Sequence, residues 1–174
     1  EFNDANLNQN IWTVENENNK NWSIVDGHLT INSEYGSFYQ NQSDTPDTNL
    51  HNMFVQSAYG DWEVFTKLDV EKLPWTNYQG AGIVVKQDDD NYIYLKTEFS
   101  GSLAISFTQE INATRYVLEE LSAEDLAKFS DTVYFKLKKI GNTYTAAVSP
   151  DGETYINFSA AASGEYSDPK FSLV

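Results

Sequence analysis

The feature that most constrains this chain is a two-residue alternation of apolar and polar side chains, restarted many times over 174 residues. Its fullest instance is 78–99, YQGAGIVVKQDDDNYIYLKTEF. Ala81, Ile83 and Val85 alternate with Gly82, Val84 and Lys86; beyond Asp88, Asp89, Asp90 and Asn91, the residues Ile93, Leu95, Thr97 and Phe99 alternate with Tyr92, Tyr94, Lys96 and Glu98. Successive side chains on a strand point to opposite faces, so this pattern predicts a β-hairpin with one apolar face. The other face, with two tyrosines, a lysine and a glutamate, is either solvated surface or a binding platform.

The same period recurs along the chain. Trp12 and Val14 alternate ahead of an Asn-rich turn. Trp22 and Ile24 face Leu29 and Ile31 across Asp26-Gly27, a dipeptide suited to a type I′ hairpin turn. Further strands are predicted at 35–42, 53–56, 62–69, 103–107, 115–118, 133–138, 144–148 and 155–158, separated by polar turns such as Gly141-Asn142 and Ser149-Pro150-Asp151-Gly152. One segment, near 122–129, reads as a short helix: Ser122-Ala-Glu-Asp125 resembles a capping box, and Leu121, Asp125 and Phe129 recur one turn apart. Many short strands with one small helix predict an all-β, two-sheet antiparallel sandwich, with one wet face on each sheet. Residues 1–174 are expected to form a single module.

Composition narrows the function. A net charge of -15 and a pI near 4.3 disfavour nucleic acid, whose phosphates would be repelled, and anionic membrane surfaces. No apolar run is long enough to span a bilayer, and EFNDANLNQN lacks the basic and apolar regions of a signal peptide. The sequence is therefore expected to be a segment excised from a larger polypeptide. The absence of cysteine removes disulfides, thiolate metal sites and thiol nucleophiles. The Asn-rich, acidic, cysteine-free character fits an extracellular bacterial protein, secreted or on the cell surface.

Catalytic patterns are missing from the sequence. Retaining glucanases on β-sandwiches place two carboxylates about 5 Å apart on one strand face, in E-x-D-x-E spacing that does not occur here. The two histidines, His28 and His51, lie near no Ser or metal-like cluster. Gly80-Ala81-Gly82 continues from strand into strand, where a nucleotide fingerprint would open a helix. The acidic turn Asp88-Asp89-Asp90 lacks the EF-hand Gly and Glu and is read as turn chemistry.

Several segments together carry a family resemblance: Trp62-Glu63-Val64 with Thr66-Lys67-Leu68, Tyr78-Gln79-Gly80-Ala81-Gly82-Ile83, Gln87 to Tyr92, and Gly141-Asn142-Thr143-Tyr144 followed by Ser149-Pro150-Asp151-Gly152-Glu153-Thr154-Tyr155. In this order and spacing the chain resembles the concanavalin A-like domains at the C-terminal end of family 43 β-xylosidases, over nearly its whole length. The resemblance implies a curved jelly roll with a concave face, a polysaccharide or oligosaccharide ligand and a neighbouring glycoside hydrolase domain. It also admits a structural Ca²⁺ whose ligands the sequence does not pick out. Such domains usually close with a strand rich in Asp and Phe. The ending here, Lys170-Phe171-Ser172-Leu173-Val174, means that the closing strand has diverged or lies outside this chain.

Sugar recognition combines ring faces, which stack on C–H patches, with paired donors and acceptors for hydroxyls. The residues that fit are Tyr92, Tyr94 and Lys96 on the polar hairpin face, with Tyr39, Trp75, Tyr78, Gln79 and Tyr134 as neighbouring candidates. The expected function is a non-catalytic carbohydrate-binding or hydrolase-associated module. The alternatives are a self-contained glycosidase, and a structural or adhesion spacer without sugar affinity.

Overall fold

A computed structural model describes residues 2, 6–37, 50–69, 79–99, 101–166 and 169–173. The described residues form β1 (Thr13–Glu15), β2 (Trp22–Val25), β3 (His28–Ile31), β4 (Met53–Ser57), β5 (Trp62–Asp69), β6 (Gly80–Asp88), β7 (Asn91–Phe99), β8 (Leu103–Ile111), β9 (Thr114–Glu120), the helical turn α1 (Ala123–Leu126), β10 (Thr132–Ile140), β11 (Thr143–Ser149), β12 (Ile156–Ser163) and β13 (Lys170–Leu173). They assemble into a seven-stranded sheet in the order β1-β4-β13-β6-β7-β8-β9, a four-stranded sheet β12-β11-β10-β5, and the separate hairpin β2-β3. Every pairing is antiparallel.

Alternation explains the sandwich. On β10, Val133, Phe135 and Leu137 are fully buried, while Tyr134, Lys136 and Lys138 on the other face are only half-buried. They meet Ile83, Val85, Ile93, Leu95, Ile105 and Phe107 of the seven-stranded sheet in one core. Phe107 and Phe158 touch across the sheets with ring centroids 6.0 Å apart. Burying a side chain of this size contributes about 1.5–3 kcal/mol, enough to offset the roughly 1–2 kcal/mol needed to order each residue's backbone.

The expectation of one wet face holds for the four-stranded sheet but not for the middle of the larger one. Met53, Val55, Val84 and Tyr92 lie on its outer face and are at most 5% exposed, forming a second apolar cluster with Leu50 and Tyr94.

Turns follow residue type where predicted. Asp26 and Gly27 both take positive φ, 51° and 79°, as a type I′ turn requires. Ser122 caps α1 by accepting the Asp125 N–H at 3.1 Å and donating its hydroxyl to the Asp125 carboxylate at 3.0 Å. The helix is shorter than the 122–129 expected. Strands β8 and β9 are longer than read, extending to a two-residue turn at Asn112-Ala113. Polar residues masked that extension because Thr108, Gln109 and Glu110 are buried with partners: the Tyr94 carbonyl, the Ser163 carbonyl and the Tyr92 hydroxyl. Residues 35–37 form no strand, and the rest of the strand predicted at 35–42 lies outside the described residues.

The ending also differs from expectation. Lys170–Leu173 pairs with β4 on one side and β6 on the other, Leu173 opposite Phe54 and Ile83. The closing strand is within this chain, near the centre of the larger sheet.

Candidate functional site

The outer face of the seven-stranded sheet is built from cross-strand rows. One row reads Lys86, Tyr92, Glu110, Arg115; the next Val84, Tyr94, Thr108, Val117; the next Gly82, Lys96, Ser106, Glu120. The core-facing alternates, Ile93 and Leu95, are fully buried. Tyr92, Tyr94 and Lys96 therefore share the face turned away from the other sheet.

They are not equally available. Tyr92 is 5% exposed, and its hydroxyl donates to Glu110 Oε2 at 2.9 Å. Burial, then the bond to Glu110 and that carboxylate's charge, push its phenol far above the ordinary value. Glu110 is itself only 2% exposed. Burial raises its pKa, the Tyr92 hydroxyl works against the rise and Asp90 adds to it. This pair is a buried polar tie, and Tyr92 offers little ring surface to a ligand. Tyr94 is half-buried, its phenol raised by burial and then by the Glu98 carboxylate.

Beside Tyr94 lies a charged array. The Lys96 ammonium stands 5.0 Å from the Tyr94 ring centroid and donates to Glu98 Oε2. Arg115 Nη2 donates to Glu98 Oε1 at 2.9 Å, as does the Ser106 hydroxyl at 3.4 Å. The Lys96 and Glu98 side chains are 12% and 16% exposed, so this pair is no solvated face. Burial lowers the Lys96 pKa while the Glu98 bond opposes the change. Burial works to raise Glu98, but the Lys96 bond and the Lys96 and Arg115 charges hold it below the usual carboxylate range. Arg115, the single arginine of the chain, is 39% exposed. One guanidinium nitrogen is committed to Glu98, and the planar fork carries further N–H donors. Sequence reasoning put Glu98 on the polar face without naming it a candidate, and missed Glu110 and Arg115. The isolated arginine on an alternating strand was the one available signal.

The other candidates scatter. Tyr134 lies on the outer face of the four-stranded sheet, on the far side of the sandwich, with Lys67 5.9 Å from its ring. Gln79 is exposed beside the start of β6, its carbonyl accepting from Phe99 N–H at 3.0 Å. Tyr39, Trp75 and Tyr78 lie outside the described residues. In the acidic turn, Asp88 Oδ1 accepts from Asp90 N–H at 3.0 Å and Asn91 Nδ2 at 2.8 Å, and Asp89 pairs with Lys86 at 2.6 Å. Among the described residues no group of three His, Cys, Asp or Glu side chains converges to hold a metal ion, and no helix is long and apolar enough to cross a membrane.

The family described as "Beta xylosidase C-terminal Concanavalin A-like domain" matches residues 1–172. No curated protein is detectably similar in sequence. Among solved structures, the chain is similar to the GH43 BlXynB protein of Bacillus licheniformis (15% identity, TM-score 0.74), covering 99% of this chain and 37% of that one. It is also similar to "Xyloglucan PUL GH43B" of Bacteroides ovatus (18% identity, TM-score 0.71, covering 99% and 34%). A functionally unknown protein of Saccharomyces cerevisiae shares the fold at 16% identity and TM-score 0.67, with 94% of this chain and 84% of that one covered. The chain thus spans about a third of the length of these GH43 proteins, and at such identities the structural likeness speaks for the fold. The whole-length family match and the concanavalin A-like sandwich agree: the chain belongs to the β-xylosidase C-terminal concanavalin A-like domain family, a glycoside-hydrolase-associated module.

Proposed function

We propose that this chain is a non-catalytic module of a secreted glycoside hydrolase and that it holds saccharide on the outer face of its seven-stranded sheet, around Tyr94, Lys96, Glu98 and Arg115. The observation that carries this reading is the linked Lys96–Glu98–Arg115 array, whose Lys96 ammonium stands 5.0 Å from the Tyr94 ring centroid. A ring edge beside fixed donors and acceptors is what a hydroxylated, C–H-faced ligand needs. Two similar proteins, the xylan β-1,4-xylosidase of Bacillus halodurans and "Xyloglucan PUL GH43B" of Bacteroides ovatus, make xylan and xyloglucan the first probes. Gln79, Tyr39, Trp75 and Tyr78 belong to this proposal on sequence grounds. Tyr134, on the opposite sheet, drops out of it.

Affinity electrophoresis on gels containing xylan or xyloglucan tests the reading. Retention of the wild-type chain, weakened about tenfold by Arg115→Ala through loss of charge-assisted hydrogen bonds, is the expected result. Unretarded migration on every polysaccharide overturns it. Release of reducing sugar from the same polysaccharides would bring the glycosidase alternative back.

A further inference from the structure

The chain holds two Asp-Gly dipeptides, Asp26-Gly27 and Asp151-Gly152, and no Asn-Gly. Such a dipeptide is prone to close on itself, because glycine has no Cβ to keep its amide nitrogen away from the preceding side-chain carboxyl carbon. Both stand in tight turns with the glycine at positive φ, 79° for Gly27 and 80° for Gly152. Their surroundings are otherwise opposite. Asp151 Oδ1 accepts from the Ser149 hydroxyl and from the Glu153 and Thr154 amides, each at 2.8 Å. The Thr154 and Glu153 amides hold its carboxyl below the usual carboxylate range. The Gly152 amide donates to the buried Ser149 Oγ at 2.9 Å, and Gly152 lies so close to the Tyr134 ring that an added Cβ would stand 2.9 Å from it. Neither group is free to turn toward the other. At the first dipeptide, Val25, Asp26, Gly27 and His28 are all exposed. Among the described residues no hydrogen bond or ion pair holds the Asp26 carboxylate or the Gly27 amide. The turn joins β2 to β3, a two-stranded sheet of its own, and an element with so few neighbours opens readily.

We infer that Asp26 is a site of spontaneous aspartate isomerisation and that Asp151, in the same dipeptide, is protected from it by its turn. The Gly27 nitrogen attacks the Asp26 carboxyl carbon: the N–Cγ bond forms, the bond from Cγ to the carboxyl OH breaks, and that hydroxyl leaves with the amide proton as water. A succinimide remains. Water then adds to one of its two carbonyls and breaks that carbonyl's bond to nitrogen. Cleavage at Cγ restores aspartate, and cleavage at the main-chain carbonyl leaves isoaspartate, with no net change in atoms or electrons. A clamped carboxylate such as Asp151 lacks both the leaving hydroxyl and an approaching nitrogen. The product matters for the fold, because isoaspartate runs the main chain through Cβ and Cγ and so lengthens a two-residue turn that sets the hairpin register. The pairs Ile24–Leu29 and Trp22–Ile31 depend on that register, and Trp22, Leu29 and Ile31 pack against the core.

The test ages the whole chain for weeks at physiological temperature and neutral pH, in buffer and in guanidinium chloride, and quantifies isoaspartate at each position by peptide mapping with electron-transfer fragmentation. In buffer, isoaspartate should build up about tenfold or more faster at 26 than at 151, the margin expected from the charge-assisted bonds that hold Asp151. In denaturant, where those bonds are gone, the two rates should draw together. Ser149→Ala, which frees the Gly152 amide, should speed isomerisation at 151 and leave 26 unchanged. Equal rates in buffer, no isoaspartate at 26, or a margin that persists in denaturant would each overturn the inference.

Discussion

Glu119 ties together the free edges of the two sheets with a single oxygen. Its Oε2 accepts from the Ser159 amide and hydroxyl, both at 2.7 Å, and from the Ala160 amide at 2.8 Å, linking edge strand β9 to edge strand β12. Unpaired edge amides invite non-native strand addition, so satisfying two of them also protects the module. The Ser159 hydroxyl bond, with the two amides, lowers the Glu119 pKa against the pull of burial. A lowered folded-state value means that its stabilisation is present above the unfolded value, about 4.3 for Glu, and is lost as pH falls through the folded value. Glu119→Gln should cost about 1–2 kcal/mol at neutral pH and flatten the loss of stability below about pH 5. Urea titrations of both proteins at neutral and acid pH check this, and identical midpoints at both would contradict it. Nothing in the sequence marks Glu119, because its partners lie 40 and 41 residues away.

One turn and one close approach decide how well the strands pair. In β6, Gly82 sits opposite Lys96, where an added Cβ would run into the Leu95 carbonyl and the Lys96 Cα. Those are backbone atoms in the middle of a paired sheet and cannot swing aside. Gly82→Ala should therefore lower stability by about 1–3 kcal/mol, read as a drop in Tm; an unchanged Tm would mean that the strands part at no cost. The β8–β9 turn runs the opposite way. Asn112 and Ala113 both have positive φ, 49° and 60°, and alanine there carries roughly 1–2 kcal/mol of left-handed strain. Glycine removes that strain while adding about 0.4–1 kcal/mol of unfolded-state entropy. Ala113→Gly should thus gain about 0.5–1 kcal/mol, and calorimetry showing a lower Tm would refute the balance. The hairpin itself was not legible at this turn: Asn-Ala is a poor type I′ signal, and the buried polar run before it looked like loop.

At the scale of the molecule, the final strand holds the larger sheet together. Phe171 on β13 is 4% exposed, and β13 supplies the partner for both β4 and β6. Losing one buried Phe costs about 3–5 kcal/mol against a typical total stability of 5–15 kcal/mol, and removing 170–174 also splits the sheet. Such a truncation should lose its cooperative urea transition, whereas a truncated chain that melts cooperatively would show that the sheet survives without β13.

The sequence by itself determined most of the strands, the Asp26-Gly27 hairpin, the Ser122 cap, the inward set of the alternating runs and the all-β class. These are local properties, set by a period of two and by turn residues acting over a few positions. Only tertiary structure decided which strands lie side by side and what covers each face. That is why Tyr134 and Tyr94, equivalent in pattern, end on opposite sides of the sandwich, and why Lys96 and Glu98, on a face that reads equally as solvated surface or binding platform, are largely buried with Arg115 from β9. Pairing partners far apart in the chain are chosen by the joint burial of whole sheets, and no stretch of sequence carries that information alone.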